Sequence, residues 1–184
     1  TPSRPTYESI SREEIEEEKE KVEESYDRIA PAYKDTWLPQ IRPVTENLLN
    51  AIPHAPPGPL IDLGCGTGCT TRILAERYAG RDLVAIDSSR RMVEEAKAYV
   101  NDPRVSFVHA DMCGHLRGCA DSSAAMIVSG WAIGYSCPRE VIAQAGRVLH
   151  SGGLFVFVVN YADTLAPIAL AFKQCMARFP GHVR

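Results

Sequence analysis

The organisation of this chain turns on Leu60-Ile61-Asp62-Leu63-Gly64-Cys65-Gly66-Thr67-Gly68. Leu60 to Leu63 is a short, mostly apolar run with the length of a buried strand. Glycines at 64, 66 and 68 follow at once, and a helical pattern from Thr70 to Tyr78 begins directly after them. A strand passing through glycines into a helix is the opening unit of a parallel α/β sheet. Glycine lets the chain turn sharply and lets a ligand approach backbone that a Cβ would shield. In such a sheet this loop lies at the carboxyl edge of the strands, where ligands bind.

Towards the C-terminus the same alternation continues. Strands are predicted over Leu83–Asp87, Val105–His109 and Ala124–Ser129, with a helix over Arg90–Val100 whose N-cap is Ser88 or Ser89. A helix over Arg139–Leu149 precedes Gly152-Gly153, which turns into the strand Leu154–Val159, and Thr164–Arg178 reads as a closing helix. Nearly continuous apolar strands are buried on both faces, and crossovers between parallel strands are right-handed. The prediction is a doubly wound, Rossmann-like α/β fold with a mostly parallel sheet and helices on both faces. Towards the N-terminus, Pro53-His54-Ala55-Pro56-Pro57-Gly58-Pro59 is a linker that cannot be helical. Before it, Arg42–Ile52 reads as a helix. A further helix opens at the capping box Ser11-Arg12-Glu13-Glu14 and is ended or kinked by Pro31. Ile15, Val22, Tyr26, Ile29 and Tyr33 form its single apolar stripe. The expected organisation is one domain: residues 1–10 disordered, 11–57 a helical lid, and 58–184 the sheet core.

A chain of 184 residues supports one core and not two. Its 45% hydrophobic and 23% charged residues are globular proportions, and no apolar run is long enough to span a bilayer. The Glu-rich start is not a secretory signal. A net charge of −3 argues against a broad nucleic-acid surface. Cysteines at 65, 69, 113, 119, 137 and 175 show neither C-x-x-C nor zinc-finger spacing, so they read as reduced thiols of a cytoplasmic protein without a metal site.

Spacing and charge narrow what the loop holds. Dinucleotide folds want G-x-G-x-x-G, and Cys69 stands where that motif needs its last glycine. No lysine occurs between Ala55 and Val93, so a P-loop is absent. Asp62 precedes the glycines; a carboxylate there disfavours phosphate and suits an ammonium or sulfonium. Asp87 ends the second strand, 23 residues after Gly64, where a ribose-binding acid belongs, and Asp111 follows the third. Each acid alone also reads as a helix cap or turn residue; three at successive strand ends suit an ammonium, a ribose and an adenine amino group.

These residues resemble a family. Leu60 to Gly68 is similar to the signature of class I S-adenosylmethionine-dependent methyltransferases. Ala85-Ile86-Asp87-Ser88-Ser89 with Met92 resembles their second motif, and His109-Ala110-Asp111-Met112 their third. Val148-Leu149-His150-Ser151-Gly152-Gly153-Leu154 resembles the turn before their fifth strand, with Ser151 where proline is usual. Tyr26-Asp27-Arg28-Ile29-Ala30-Pro31-Ala32-Tyr33 resembles the entry segment of the small-molecule branch. The resemblance covers roughly residues 24–160 and implies S-adenosylmethionine as cofactor, with S-adenosylhomocysteine as product. By position it places Asp62, Gly64, Cys65, Gly66 and Gly68 at the methionine part and Asp87 at the ribose hydroxyls. Ser88 and Met92 would flank one side of the adenine, Asp111 and Met112 the other. Ser129 and Gly130 would lie near the sulfonium, with Tyr33 closing the methionine end.

Methyl transfer of this kind is a direct displacement, so the protein supplies orientation and a dry site. An acceptor already ionised needs no catalytic residue, whereas an alcohol wants a base. His115 is the candidate base, His109 reads as a strand histidine, and His150 as a helix-end cation. Trp37, Trp131 and Tyr135 are the expected walls of the acceptor pocket. The resulting expectation is methyl transfer to a small-molecule or carrier-bound acceptor. The alternative is a cofactor-binding module, or part of a larger methyltransferase, without independent activity. Family members close the sheet with a further hairpin, so a shortened C-terminus or a homodimer covering the edge beyond Leu154–Val159 is expected.

Overall fold

The computed structural model describes residues 12–52 and 55–159. In chain order the elements are α1 (Arg12–Asn50), β1 (Leu60–Leu63), α2 (Cys69–Arg77), β2 (Leu83–Asp87), α3 (Arg90–Val100), β3 (Val105–His109), α4 (Met112–Gly118), β4 (Ala124–Gly130), α5 (Pro138–Val148) and β5 (Leu149–Val158). A 3-10 turn, Ile133–Tyr135, follows β4.

All five strands pair in parallel in the order β3-β2-β1-β4-β5. The chain runs outward from β1 to β3, returns to lay β4 beside β1, and runs outward again to β5. The order therefore reverses between β1 and β4, and the crevice above such a reversal is where doubly wound sheets take ligands. The glycine loop leaves β1 at that point.

Alternation along β1 sorts the core into two layers. Leu60 packs with Leu74, Ala85, Ala96, Met126 and Leu49 on the face covered by α2, α3 and the end of α1. Ile61 and Leu63 pack with Ile86, Leu116, Ile127 and Val141 on the face covered by α4 and α5. Asp62 shares Leu60's face and is completely buried, although it stands on the central strand between Ala85 and Val128.

Local chemistry explains most boundaries. α3 is capped by Ser89, whose hydroxyl accepts the Met92 N–H at 3.1 Å. α5 begins at Pro138, where the missing N–H costs nothing. α4 lies over a segment that carries Gly114 and Gly118, residues of low helix propensity, and its signal was the N-cap Asp111, which accepts the Gly114 N–H at 2.9 Å.

Three expectations need correction. Pro31 does not end α1, and Arg42–Ile52 is not a separate helix: α1 runs unbroken through Pro31, Pro39 and Pro43. Each proline deletes a helix hydrogen bond, but Ala30, Thr45 and Leu49 are buried, and Asp27 accepts hydrogen bonds from the Ser89 hydroxyl and the Arg91 N–H at the start of α3. Those tertiary contacts outweigh the local penalty. Ile29 leaves the expected stripe, being 39% exposed; the Ile15 and Val22 side chains lie outside the described residues. Gly152-Gly153 is not a turn before β5 but a bulge within it. Ala124 faces Leu149 and Met126 faces Leu154, so β5 accommodates three extra residues with Gly152 at φ +78°. Residues 1–11, the helix Thr164–Arg178, Cys175 and any covering of the β5 edge by later residues lie outside the described residues.

Candidate functional site

A cavity of about 400 Å³ lies at the carboxyl ends of the strands, with α1 forming part of its wall. The glycine loop forms its floor. The Gly64 and Cys65 N–H groups both donate to the Ile86 carbonyl at 2.8 Å. The Gly66 N–H donates to Asp87 Oδ2 at 2.8 Å, and the Ser89 N–H to Asp87 Oδ1 at 2.9 Å. One carboxylate thus ties the loop after β1 to the turn after β2. Burial raises its pKa above the usual carboxylate range even though both N–H groups pull the other way.

Two glycines do different work. At Gly64 (φ +72°) a Cβ would stand 2.2 Å from the Ala132 Cβ, so glycine is needed for packing against the loop after β4. At Gly66 (φ +53°) a Cβ would meet nothing within 4 Å; it would project into open space. That is a backbone cradle which a side chain would fill.

Of the residues expected to touch a cofactor, Tyr33, Gly64, Cys65, Gly66, Asp87, Ser88, Met92, Asp111, Met112 and Gly130 all line the cavity. Three do not. Gly68 caps α2 and packs against Ala96 and Val100 of α3. Ser129 is buried within β4, with its hydroxyl unpartnered among the described residues. Asp62 lies beneath the loop. Its Oδ2 accepts the Thr71 hydroxyl at 2.6 Å, and Oδ1 has no partner among the described residues. Asp62 and Ser129 each stand one residue short of their strand's carboxyl end, on opposite faces of the sheet, and are buried between the strands and the covering helices rather than in the crevice.

Burial raises the Asp62 pKa to about 7 against the opposing pull of Thr71. The folded protein therefore holds a proton there that the unfolded chain releases near pH 4. With more protons bound in the native state, stability falls as pH rises from about 4 to about 7 and levels off above. Asp62→Asn keeps an acceptor for Thr71 and removes the charge, so it should flatten that slope. Urea midpoints of both proteins between about pH 5 and 8 check this, and parallel curves would show Asp62 ionised in the fold.

The wall opposite the loop is aromatic. Tyr26 and Tyr33 on α1 lie 6.2 Å apart between ring centroids, and Tyr26 meets Tyr135 edge-on at 5.5 Å. All three line the cavity, as does Trp131. Burial, foremost, raises the pKa of Tyr26 and Tyr33, so their hydroxyls remain protonated donors. Tyr26 was read from the sequence as part of the apolar stripe and of the entry segment, without a place at the site; the structure brings it there. Glu20, Glu23, Cys69 and Thr70 also join the lining. Trp37 does not. It is 50% exposed, four residues and so about 6 Å along the helix axis past Tyr33. His115 is also absent from the lining: it sits on α4, where partial burial lowers its pKa. His109 donates to the Ser88 carbonyl at 2.7 Å and stands 3.7 Å from Glu23.

The balance of charge is negative. Among the described residues, Glu20, Glu23, Asp87 and Asp111 line the cavity against one cation, Arg117, which is ion-paired with Glu140. Such a site favours a positively charged ligand.

Residues 60–153 match the family model described as a methyltransferase domain. The chain belongs to that family. The matched residues run from β1 into the bulge of β5 and include the glycine loop, Asp87 and Asp111. Among curated relatives, the chain is similar to the malonyl-[acyl-carrier protein] O-methyltransferase of Hahella chejuensis, at 31% identity over 84% of this chain and 55% of that protein. It is also similar to the trans-aconitate 2-methyltransferase of an Acidovorax species, at 34% identity over 67% of this chain and 45% of that one. The chain spans about half the length of the curated relatives it matches. Phosphoethanolamine N-methyltransferase 1 of Haemonchus contortus, solved with phosphoethanolamine and S-adenosylhomocysteine, shares the fold at a TM-score of 0.66. That likeness covers 83% of this chain and 34% of the other at 16% identity. Among the described residues no helix is long and apolar enough to cross a membrane, and no cluster of His, Cys, Asp or Glu could hold a metal ion.

Proposed function

We propose that this chain is an S-adenosylmethionine-dependent methyltransferase acting on a small-molecule or carrier-bound acceptor. The observation that carries the reading is the pairing of Gly66 with Asp87: an open backbone cradle fixed to a carboxylate whose remaining lone pairs are free for ribose hydroxyls. The residues present fit the cofactor. Acids outnumber cations around the cavity, and Met92 and Met112 supply apolar surface beside Ser88 and Asp111 for a flat base. When bound, S-adenosylmethionine supplies an electrophilic methyl group on a sulfonium.

The chain's own residues would bind, orient and exclude water. Asp87 holds the ribose edge. Tyr26, Tyr33 and Tyr135 present aromatic faces to a cation and shield the cavity from solvent. No histidine among the described residues lines the cavity, and the tyrosine hydroxyls are too weakly acidic to serve as bases at neutral pH. An acceptor that arrives ionised needs no base there, and its negative charge would have to be met away from Glu20, Glu23, Asp87 and Asp111, beside the lining cation Arg117. The relatives' names point the same way, since a malonyl group and trans-aconitate are carboxylates at neutral pH.

Calorimetry with S-adenosylhomocysteine and with NADH, run side by side, tests the reading. S-adenosylhomocysteine should bind and NADH should not; the reverse result overturns it. Labelled-methyl transfer to malonyl thioesters and trans-aconitate then separates an active enzyme from a module that only binds.

A further inference from the structure

The turn after β4 is held in a conformation its sequence disfavours. Trp131 has φ +68°, a left-handed backbone that bulky side chains rarely adopt. Such strain persists only where the surroundings over-determine it, and here three contacts do so. The Trp131 N–H donates to the Val158 carbonyl at 3.0 Å, anchoring the turn to β5. The next residue, Ala132, fills the space that a Gly64 side chain would need, locking the turn to the glycine loop. The third contact comes from another layer: the indole Nε1 donates to Thr45 Oγ1 on α1 at 3.3 Å.

Thr45 is built to receive it. It is 2% exposed, and its own hydroxyl hydrogen goes to the Ile41 carbonyl at 3.0 Å. That leaves the oxygen an acceptor facing the indole. Ile41 and Trp131 line the cavity, whereas Thr45 stands behind them. The cavity wall at the end of β4 therefore depends on a lid-helix hydroxyl 86 residues away in the chain.

We propose that Thr45 is a positioning residue: its hydroxyl holds the Trp131 indole as a fixed wall of the cavity. The consequence for acceptor selection rests on the methyltransferase reading; the positioning itself does not. Without the Thr45 oxygen the indole N–H would be left unpaired inside the protein, a cost that the ring escapes by turning towards water.

The chain has two tryptophans, and Trp37 is outside the cavity lining, so Trp37→Phe leaves Trp131 as the sole reporter. In that background, Thr45→Val should shift Trp131 emission to the red and raise its acrylamide quenching constant about threefold in the ligand-free protein, as expected for loss of a buried partner. Thr45→Ser should restore both. If valine is not accommodated and circular dichroism shows unfolding, Thr45→Ala gives the same readout. Quenching unchanged in the folded valine or alanine variant, or not restored by serine, overturns the proposal. S-adenosylhomocysteine calorimetry on the same proteins reports separately on the cofactor reading, which can fail without changing the quenching result.

Discussion

Gly66→Val abolishes S-adenosylhomocysteine binding and leaves the protein folded: this is the largest effect expected at the site. At φ +53° the position sits in the left-handed region, which costs an L-residue roughly 1–2 kcal/mol and a β-branched one more. That strain should lower the urea midpoint modestly. No protein atom lies within 4 Å of a Cβ built there, so the fold itself has room for the side chain. Gly66 lines the cavity, so the loss is expected to fall on the ligand. Gly66→Ala should bind weakly, since its methyl group intrudes less. Calorimetry together with circular dichroism reads both parts of the expectation. A folded valine variant with normal affinity would show that the cradle does not carry the cofactor.

Asp87→Ala should weaken S-adenosylhomocysteine binding by roughly 1–3 kcal/mol, the range for removing a hydrogen-bonded charged partner. Two losses combine. The ligand loses its acceptor, and the Gly66 and Ser89 N–H groups lose theirs, so the glycine loop is freed from the β2–α3 turn. Asp87→Asn separates these. An amide offers one acceptor oxygen and turns donors towards the other N–H, so it cannot satisfy both sides of the clamp. The asparagine variant should therefore fall well short of wild-type affinity. If alanine lowers the melting temperature while affinity is untouched, Asp87 serves the fold alone.

How much of this was legible in the sequence depended on how local each signal was. Gly64, Gly66 and Gly68 follow an apolar tetrapeptide and open a helix, and all three adopt positive φ as that spacing demanded. Asp87 and Asp111 stand at strand ends because strand lengths are short and regular, so chain position alone put them at the cavity. Asp62 stands one residue before the end of β1 and is buried under the loop, whereas Asp87 ends β2 and reaches the cavity; how far along a strand the crevice begins is not written in the strand's own residues. Trp37, near Tyr33 in sequence, is half exposed and outside the lining.

The parallel sheet, its glycine loop and the acids that follow its strands were already written in the chain, because periodicity, glycine φ and strand length are properties of a few adjacent residues. Contacts across the fold carry α1 through three prolines and bury Asp62 under the loop. Only the tertiary structure brought Tyr26 to Tyr135 and Thr45 to the Trp131 indole. Those outcomes turn on contacts between residues far apart in the chain, whose burial and hydrogen bonds outweigh the local preferences that a sequence displays.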